Sequence, residues 1–190
     1  MPYSLQPITD ESFFDTAPLN YTIDVEVPAE PDYVWSEFTR QNTLDWCRAL
    51  KKVTYTSPEP YDEKTTRTAV LAAGAITLNE QFFIWDEDPA KHVYRHAFYA
   101  KISSRPGLKQ FGEFTEVTPS PGGRSRIVWK FAMRTSGVAL PSFLSTPISA
   151  AAFTVVGTLA SDDTLAASLT LFAGALLLSQ AEIGRASCRE

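Results

Sequence analysis

Apolar and polar residues alternate over most of the chain between residues 21 and 134, a spacing typical of strands that bury one face. The alternation is cleanest near its end, where Ile127, Trp129, Phe131 and Met133 fall on one face. Short segments rich in Pro, Gly or acidic residues separate the runs, which favours antiparallel hairpins over helical crossovers. We therefore predict an antiparallel sheet with one solvent-exposed face and one covered face, with strands at about residues 21–27, 51–57, 65–73, 75–86, 92–103, 108–118 and 124–134.

Helical spacing occurs in three places. After the first strand, Pro31 stands near a helix start and an apolar stripe follows at Val34, Trp35 and Phe38, which predicts a short amphipathic helix. Residues 44–50 predict a further helical turn or two. Near the carboxyl end, apolar residues recur at helical spacing and predict a long final helix that covers the sheet; they are Leu165, Leu169, Phe172 and Leu176. This order of elements defines an α+β domain in which a curved antiparallel sheet wraps around the carboxy-terminal helix.

Two features of the carboxy-terminal segment do not fit a simple amphipathic helix. Gly157 and its neighbours are poor helix formers, and residues 165–178 are apolar on nearly every side. A membrane tail is the alternative, but each apolar run is shorter than the about 20 residues that span a bilayer. Asp162 and Asp163 also separate the two runs. We therefore favour a helix that packs within the domain over insertion into a membrane.

The predicted organisation is a single domain between two flanking segments. Residues 1–20 are polar, irregular and Pro-containing, and we interpret them as an amino-terminal arm. Residues 21–180 form the predicted domain. Residues 181–190 resemble a translated cloning-adaptor sequence found at the ends of unrelated proteins, so we interpret them as a non-native tail and leave Cys188 out of the argument.

Composition and charge exclude several function classes. The chain has 190 residues and a net charge of −5, without a dense run of Lys or Arg, which disfavours nucleic-acid and anionic-membrane partners. The amino-terminal residues lack the pattern of a signal peptide, so we expect a cytoplasmic protein. Two Cys and two His, His92 and His96, form no familiar metal-binding spacing. Phosphate-loop and dinucleotide-binding motifs are also missing, so we predict neither a metal nor another cofactor.

Four segments resemble the START-like or SRPBCC superfamily, in its polyketide cyclase/dehydrase and lipid-transport branch. They are "IDVEVPAEPDYVWSEFTR", "LDWCRALKKV", "NEQFFIWDEDPAKHVYRH" and "GEFTEVTPSPGGRSRIVWKF", and they occur in the order of the family. The resemblance implies a helix-grip fold, in which the sheet and the final helix enclose a hydrophobic cavity. Members bind lipids, sterols, hormones or polyketides, and some catalyse cyclisation or dehydration. The branch has no universal catalytic set, so the resemblance assigns no catalytic residue here.

Glu80 is the one carboxylate on an otherwise apolar strand face shared by Ile76, Leu78, Phe82 and Ile84. If the flanking hairpin pairs its apolar faces, Glu80 lies opposite His96, or opposite Phe98 with His96 on the diagonal. Both registers predict that the carboxyl and the imidazole lie close together. A carboxyl in an apolar cavity is either neutral or held by a partner, and either state suits proton transfer.

The Glu80 and His96 pair is therefore a candidate acid/base dyad for a cyclase or dehydratase. Two other interpretations stay open. Glu80 lies in water at the cavity mouth, or it pairs with Arg67 or Arg95 only to satisfy its charge. His96 taken alone fits a hydrogen-bonded interior histidine better than a catalytic one.

Inward-facing aromatic residues favour binding of an apolar or aromatic ligand, with plain core packing as the alternative for each ring. We expect the function to be binding of such a hydrophobic small molecule in an internal cavity, with catalysis by Glu80 and His96 as the second hypothesis. A regulatory or interaction module with a packed core is the third. The predicted ligand-binding residues are Tyr55, Phe82, Tyr94, Phe98, Trp129, Phe131 and Trp46.

Overall fold

The computed structural model describes residues 1–44, 50–71 and 74–136. An antiparallel sheet of eight strands dominates this part of the chain, and two short helices accompany it. In chain order the elements are β1 (Tyr3–Ser4), α1 (Phe13–Thr16), β2 (Leu19–Val27), α2 (Pro31–Thr39), β3 (Leu50–Tyr55), β4 (Thr66–Leu71), β5 (Ile76–Asp88), β6 (Val93–Ser103), β7 (Leu108–Ser120) and β8 (Arg124–Thr135). The predicted strands are confirmed, with shifts of a few residues at their ends.

The strand order across the sheet is β2-β8-β7-β6-β5-β4-β3, and β1 pairs with β6 beside this path. Every neighbouring pair is antiparallel, and short turns join β5 to β6, β6 to β7 and β7 to β8, as their Pro- and Gly-rich segments predict. The sheet is a curved half-barrel. Its concave side, the inner face, carries the large buried rings, and helix α2 packs there through Val34, Trp35 and Phe38.

A bulge in β5 changes which residues face inward. Glu80 pairs with Ala100 and Phe82 with Phe98, but Trp85 pairs with His96 because the register shifts between Phe82 and Ile84. Both predicted hairpin registers, with Glu80 opposite His96 or Phe98, are therefore wrong. The extra residue of the bulge also reverses the alternation, since a bulge places two residues against one. Ile84 consequently packs with the outer-face cluster, and Trp85 joins the inner one.

The amino-terminal segment is more ordered than the predicted arm. It contains β1, which pairs with the end of β6, and its next residues hydrogen-bond to both β6 and β7: the Leu5 amide donates to the Lys101 carbonyl and the Gln6 amide to the Lys109 carbonyl, each at 2.9 Å. Farther along, Phe14 of α1 packs against Phe114 on the outer face. The outer face is therefore partly covered, which corrects the prediction of a wholly solvent-exposed side.

Two predictions lie outside the described residues. One is the helical turn at residues 44–50, of which only the two ends are described, and the other is the long carboxy-terminal helix. The internal cavity stays a prediction. Among the helices in the described ranges, none is long and apolar enough to cross a membrane.

Candidate functional site

A buried ion pair lies on the inner face of the sheet. Arg67 on β4 and Glu80 on β5 are direct cross-strand partners, and the Arg67 Nε atom donates a hydrogen bond of 2.6 Å to the Glu80 Oε2 atom. Arg67 is 4% exposed and Glu80 is 3% exposed, so both charges are removed from water. Of the two arginines that the sequence offers to Glu80, the structure pairs it with Arg67, whereas Arg95 bonds to Asp86. This pairing confirms one alternative for Glu80.

Aromatic rings surround the Arg67 guanidinium. Its central carbon lies 4.1 Å from the ring centroid of Phe98, 5.2 Å from that of Phe82 and 5.9 Å from that of Tyr55. A desolvated guanidinium over ring faces gains cation–π attraction. The hydroxyl of Tyr55 donates to the Phe38 carbonyl at 3.1 Å, and burial raises the pKa of this hydroxyl to about 12. Tyr55 is therefore a neutral neighbour of the cation.

Burial and the attraction between Arg67 and Glu80 have opposite effects on the pKa values of the two side chains. Burial raises the pKa of the Glu80 carboxyl, and the Arg67 guanidinium opposes this rise. Burial disfavours the charged form of Arg67 as well, but the neighbouring carboxylates outweigh burial, so its pKa is raised. Arg67 thus stays cationic, and its hydrogen bond occupies one oxygen of Glu80.

Glu113 on β7 is a second carboxyl on the inner face, and the sequence interpretation missed it. Its cross-strand partners are Phe98 on β6 and Phe131 on β8, and its Oε2 atom accepts a hydrogen bond of 3.0 Å from the Trp129 Nε1 atom. The side chain is half-buried. Burial raises the pKa of Glu113 to about 8, Glu80 adds to the rise, and Arg67 and the Trp129 hydrogen bond oppose it. Near neutral pH the carboxyl is mostly protonated, and it ionises just above that range.

The signal for Glu113 is present in the sequence. Phe111, Thr115 and Val117 alternate with polar or outward residues and are buried, and Glu113 falls on the same face of β7. This pattern, one carboxyl on a buried strand face, is the same one that singled out Glu80. Neighbouring Thr115 weakens the contrast, because it makes the face look less apolar.

His96 lies among rings rather than against Glu80. Its imidazole is 4.9 Å from the Trp35 ring, 5.1 Å from Phe82 and 5.3 Å from Trp85, and it is 1% exposed. Burial lowers the pKa of His96 well below its ordinary value, and nearby Arg67 lowers it further. The imidazole is therefore neutral, and within the described part of the chain its Nδ1 atom has no hydrogen-bond partner. The described hydrogen bond of the Glu80 carboxylate is to Arg67, not to His96.

Six of the seven predicted ligand-binding residues are buried in the two inner-face clusters, and Trp46 lies outside the described residues. The Trp129 and Phe131 rings lie in tilted contact beside Glu113, with centroids 4.8 Å apart. The six are Tyr55, Phe82, Tyr94, Phe98, Trp129 and Phe131. Their exposures of 0% to 6% agree with core packing as well as with a ligand-facing wall.

Hydrogen bonds to two carboxylates hold α2 against the β5–β6 hairpin. The indole nitrogens of Trp35 and Trp85 both donate to Glu87 Oε1, at 3.0 and 2.8 Å. Asp32 Oδ1 accepts from the Tyr94 hydroxyl at 2.6 Å and lies 2.8 Å from His92 Nδ1. These contacts fix the helix that covers one end of the inner face.

The described ranges contain no group of three His, Cys, Asp or Glu side chains that could hold a metal ion. The polar groups of the inner face are the Arg67–Glu80 ion pair, the protonatable Glu113 carboxyl and the neutral His96 imidazole. Together they can donate and accept hydrogen bonds and exchange a proton with a bound molecule.

Solved structures with similar folds include an aromatase/cyclase and a START superfamily protein. The Zhui aromatase/cyclase from Streptomyces sp. R1128 aligns with a TM-score of 0.56 at 14% identity, over 74% of this chain and 93% of its own. A START superfamily protein from Mycobacterium smegmatis aligns with a TM-score of 0.57 at 9% identity, over 74% and 96%. A ginseng major latex-like protein aligns with a TM-score of 0.53 at 9% identity, over 74% and 96%. At these identities the likeness establishes the fold alone.

Sequence relatives lead to the family. Uncharacterised proteins of Mycobacterium bovis and Mycobacterium tuberculosis are each 30% identical over 132 residues, which cover 69% of this chain and 75% of the relative. The family model described as polyketide cyclase / dehydrase and lipid transport matches residues 18–161. The resemblance inferred from four short segments is thereby confirmed, and the chain belongs to the polyketide cyclase / dehydrase and lipid transport family.

Proposed function

We propose that the protein binds an apolar or aromatic small molecule against the inner face of the sheet. The observation that carries this proposal is the composition of that face, where aromatic rings surround a few polar groups. Ligand sites typically combine an apolar lining with a small number of placed polar groups. Arg67, Glu80 and Glu113 are the polar groups, and the rings of Phe98, Phe131 and their neighbours form the lining.

The state of Glu113 supports a ligand-facing role over plain packing. A core carboxyl is normally paired with a cation, as Glu80 is with Arg67. Glu113 instead bonds to the Trp129 indole and remains half-buried, so part of its surface is open to contact. Membership of a family described by polyketide chemistry and lipid transport agrees with an apolar ligand.

The test uses the four tryptophan indole N–H groups as reporters, since each gives one resonance in a proton–nitrogen NMR spectrum. Naphthalene-based and fatty-acid probes are titrated into the labelled protein. We expect the Trp129 indole resonance to shift, because it bonds to Glu113 on the inner face. The backbone amides of Phe114 and Lys130 serve as internal controls.

A matched pair of substitutions locates the ligand. Phe131→Leu removes an inner-face ring and should weaken binding several-fold, whereas Phe83→Leu, beside Phe14 on the outer face, should change affinity by less than about two-fold. Absence of any probe-dependent shift in the folded protein, or equal losses from both substitutions, contradicts binding at this face.

We propose a cyclase or dehydratase activity on such a ligand as the second candidate function. The observation that favours it is Glu113, whose pKa of about 8 lies near the working range of a general acid or base. In the proposed cyclase or dehydratase, Glu113 exchanges a proton with the substrate and the Arg67–Glu80 pair orients the substrate. Neutral His96 is a further polar group that lines the site.

Catalysis is tested once a turned-over substrate is found. Glu113→Gln should lower kcat by about 100-fold or more, the usual scale for loss of a general acid or base. Glu80→Gln and His96→Phe test the alternative dyad. Retained turnover in Glu113→Gln, with loss in the other two variants, would return the acid/base role to Glu80 and His96.

A further inference from the structure

The ionisable groups on the described inner face balance in charge only while Glu113 holds its proton. Two carboxyls, Glu80 and Glu113, face one guanidinium, and that guanidinium bonds to Glu80. The other titratable groups there are neutral: Tyr55 and Tyr94 have raised pKa values, and His96 has a lowered one. Within the described ranges, Glu113 thus has no cation of its own.

The sequence directly after β8 offers no cation that could pair with Glu113. Between Arg134 and Asp162 the sequence contains no Lys, Arg, His, Asp or Glu. Whatever surface those residues cover, they cannot pair with Glu113 electrostatically. A bound ligand can supply the positive charge that pairs with Glu113 when this carboxyl ionises.

The surroundings of Glu113 also suit an organic cation. Its cross-strand partners are Phe98 and Phe131, and Trp129 both contacts the Phe131 ring and donates to the carboxyl. Aromatic rings next to a carboxylate are the groups that recognise alkylammonium ions, through cation–π attraction and a charge-assisted hydrogen bond. An anionic ligand would meet the Glu113 carboxylate at this position, whereas Arg67 is already paired with Glu80.

We propose that the ligand bound at the inner face carries a protonated amine, which pairs with the Glu113 carboxylate beside the Trp129 and Phe131 rings. This inference rests on the proposed binding function and adds the chemical class of the ligand. When the ammonium ion binds, the Glu113 carboxylic acid releases its proton to solvent and the N–H···O contact replaces it. The proton count balances, because one proton leaves as one positive charge arrives.

The experiment compares three probes on one skeleton: 1-naphthylmethylamine, 1-naphthylmethanol and 1-naphthoic acid. Isothermal titration calorimetry on the full chain gives affinities at pH 6 to 8. We expect the amine to bind at least 10-fold tighter than the alcohol at pH 8, and its affinity to fall by up to about 10-fold per pH unit below that, as Glu113 holds its proton. The alcohol should bind equally well at each pH.

Two variants isolate the carboxyl. Glu113→Gln should remove the amine preference and its pH dependence while alcohol binding stays within about two-fold. Glu116→Gln makes the same change on the same strand, but on the outer face, and should leave both unchanged. In wild type, the carbon-13 shift of the Glu113 carboxyl should move to the ionised position on adding amine, a readout that needs no variant.

The possible outcomes distinguish the amine inference from the proposed ligand-binding function on which it rests. Amine binding with the Glu113 signature supports both. Alcohol binding as tight as amine binding, or tightest binding of the acid, overturns the amine inference and leaves the ligand-binding function standing. Failure of all three probes to bind overturns the amine inference for this skeleton and counts against an aromatic ligand at the inner face.

Discussion

Arg67 and Glu80 form a buried cross-strand ion pair at 2.6 Å, surrounded by aromatic rings. Removal of either side chain would therefore leave the charge of the other buried without a partner. Removal of one member of a buried pair typically costs about 3 to 5 kcal/mol, whereas replacement of both by apolar residues costs much less.

Arg67→Met should lower the free energy of unfolding by about 3 to 5 kcal/mol, because it leaves the Glu80 carboxylate buried and unpaired. The double variant Arg67→Met with Glu80→Leu should recover at least half of that loss. Urea denaturation of the single and double variants measures both values. If the double variant is as unstable as the sum of the single ones, the ion pair is not the origin of the loss.

Glu113 should make the folded protein less stable as pH rises. Its folded pKa of about 8 lies above the ordinary value of 4.5, so between these two values the folded protein holds a proton that the unfolded chain has released. The free energy of unfolding should therefore fall across pH 4.5 to 8, by about 2 kcal/mol after allowance for the partial solvent contact of the side chain, and level off above.

Glu113→Gln should flatten this pH profile, measured as urea midpoints between pH 4.5 and 9. Glu116→Gln on the outer side of the same strand is the control and should retain the wild-type slope. An unchanged slope in Glu113→Gln would assign the pH dependence to another group.

The two histidines should titrate differently. Exposed His92 contacts Asp32, whose hydrogen bond and charge raise the pKa of His92, whereas burial lowers the pKa of His96. In NMR spectra we expect the His92 imidazole to titrate above the usual range and the His96 imidazole to stay neutral where a free imidazole titrates. The stability from the His92 contact is present at low pH and lost as pH rises through the raised pKa.

Asp32→Asn should return the pKa of His92 toward its ordinary value and leave His96 unaffected. Asp88 lies on the same β5–β6 hairpin as His92 but pairs with Lys91, so Asp88→Asn should change the pKa of His92 much less. Equal effects of the two substitutions would mean that general surface charge, and not the Asp32 contact, sets the pKa of His92.

Gly112→Ala should destabilise the fold by about 1 to 3 kcal/mol, the usual cost of overpacking. A Cβ atom at Gly112 would lie 2.6 Å from the Phe98 carbonyl oxygen and 2.8 Å from the Ile8 Cδ1 atom. The Ile8 side chain could shift, but the backbone of β6 could not. Thermal denaturation should therefore show that adding Ile8→Ala does not rescue the variant, and a full rescue would place the clash at Ile8 alone.

Strand positions could be predicted from the sequence because a two-residue alternation specifies which face is buried. The same rule placed Glu80, Tyr94, His96 and Phe98 on one face, as observed. The register could not be predicted, since alternation determines only the parity of the pairing, and Glu80 pairs with Ala100, two residues beyond the predicted Phe98. The partnership of Glu80 with Arg67 comes from the separate pairing of β4 with β5.

Contacts between segments that are distant in the sequence also could not be predicted from the alternation of apolar and polar residues. The Arg67 partnership was one of several alternatives, and nothing in the local sequence separates it from Arg95 until the strands are paired. Phe14 and Ile8 look like isolated apolar residues in a polar segment. Their burial appears only when the outer face provides a surface for them.

The position of the first residues between β6 and β7 has a consequence for folding order. Residues 3–6 bond to residues 101–109, so this part of the chain can reach its place only after most of the sheet has been synthesised and paired. Contacts of such large sequence separation carry a high loop-closure cost and generally form late. Residues 3–6 are synthesised before the strands that they contact, but we expect them to be among the last of this domain to reach their native positions.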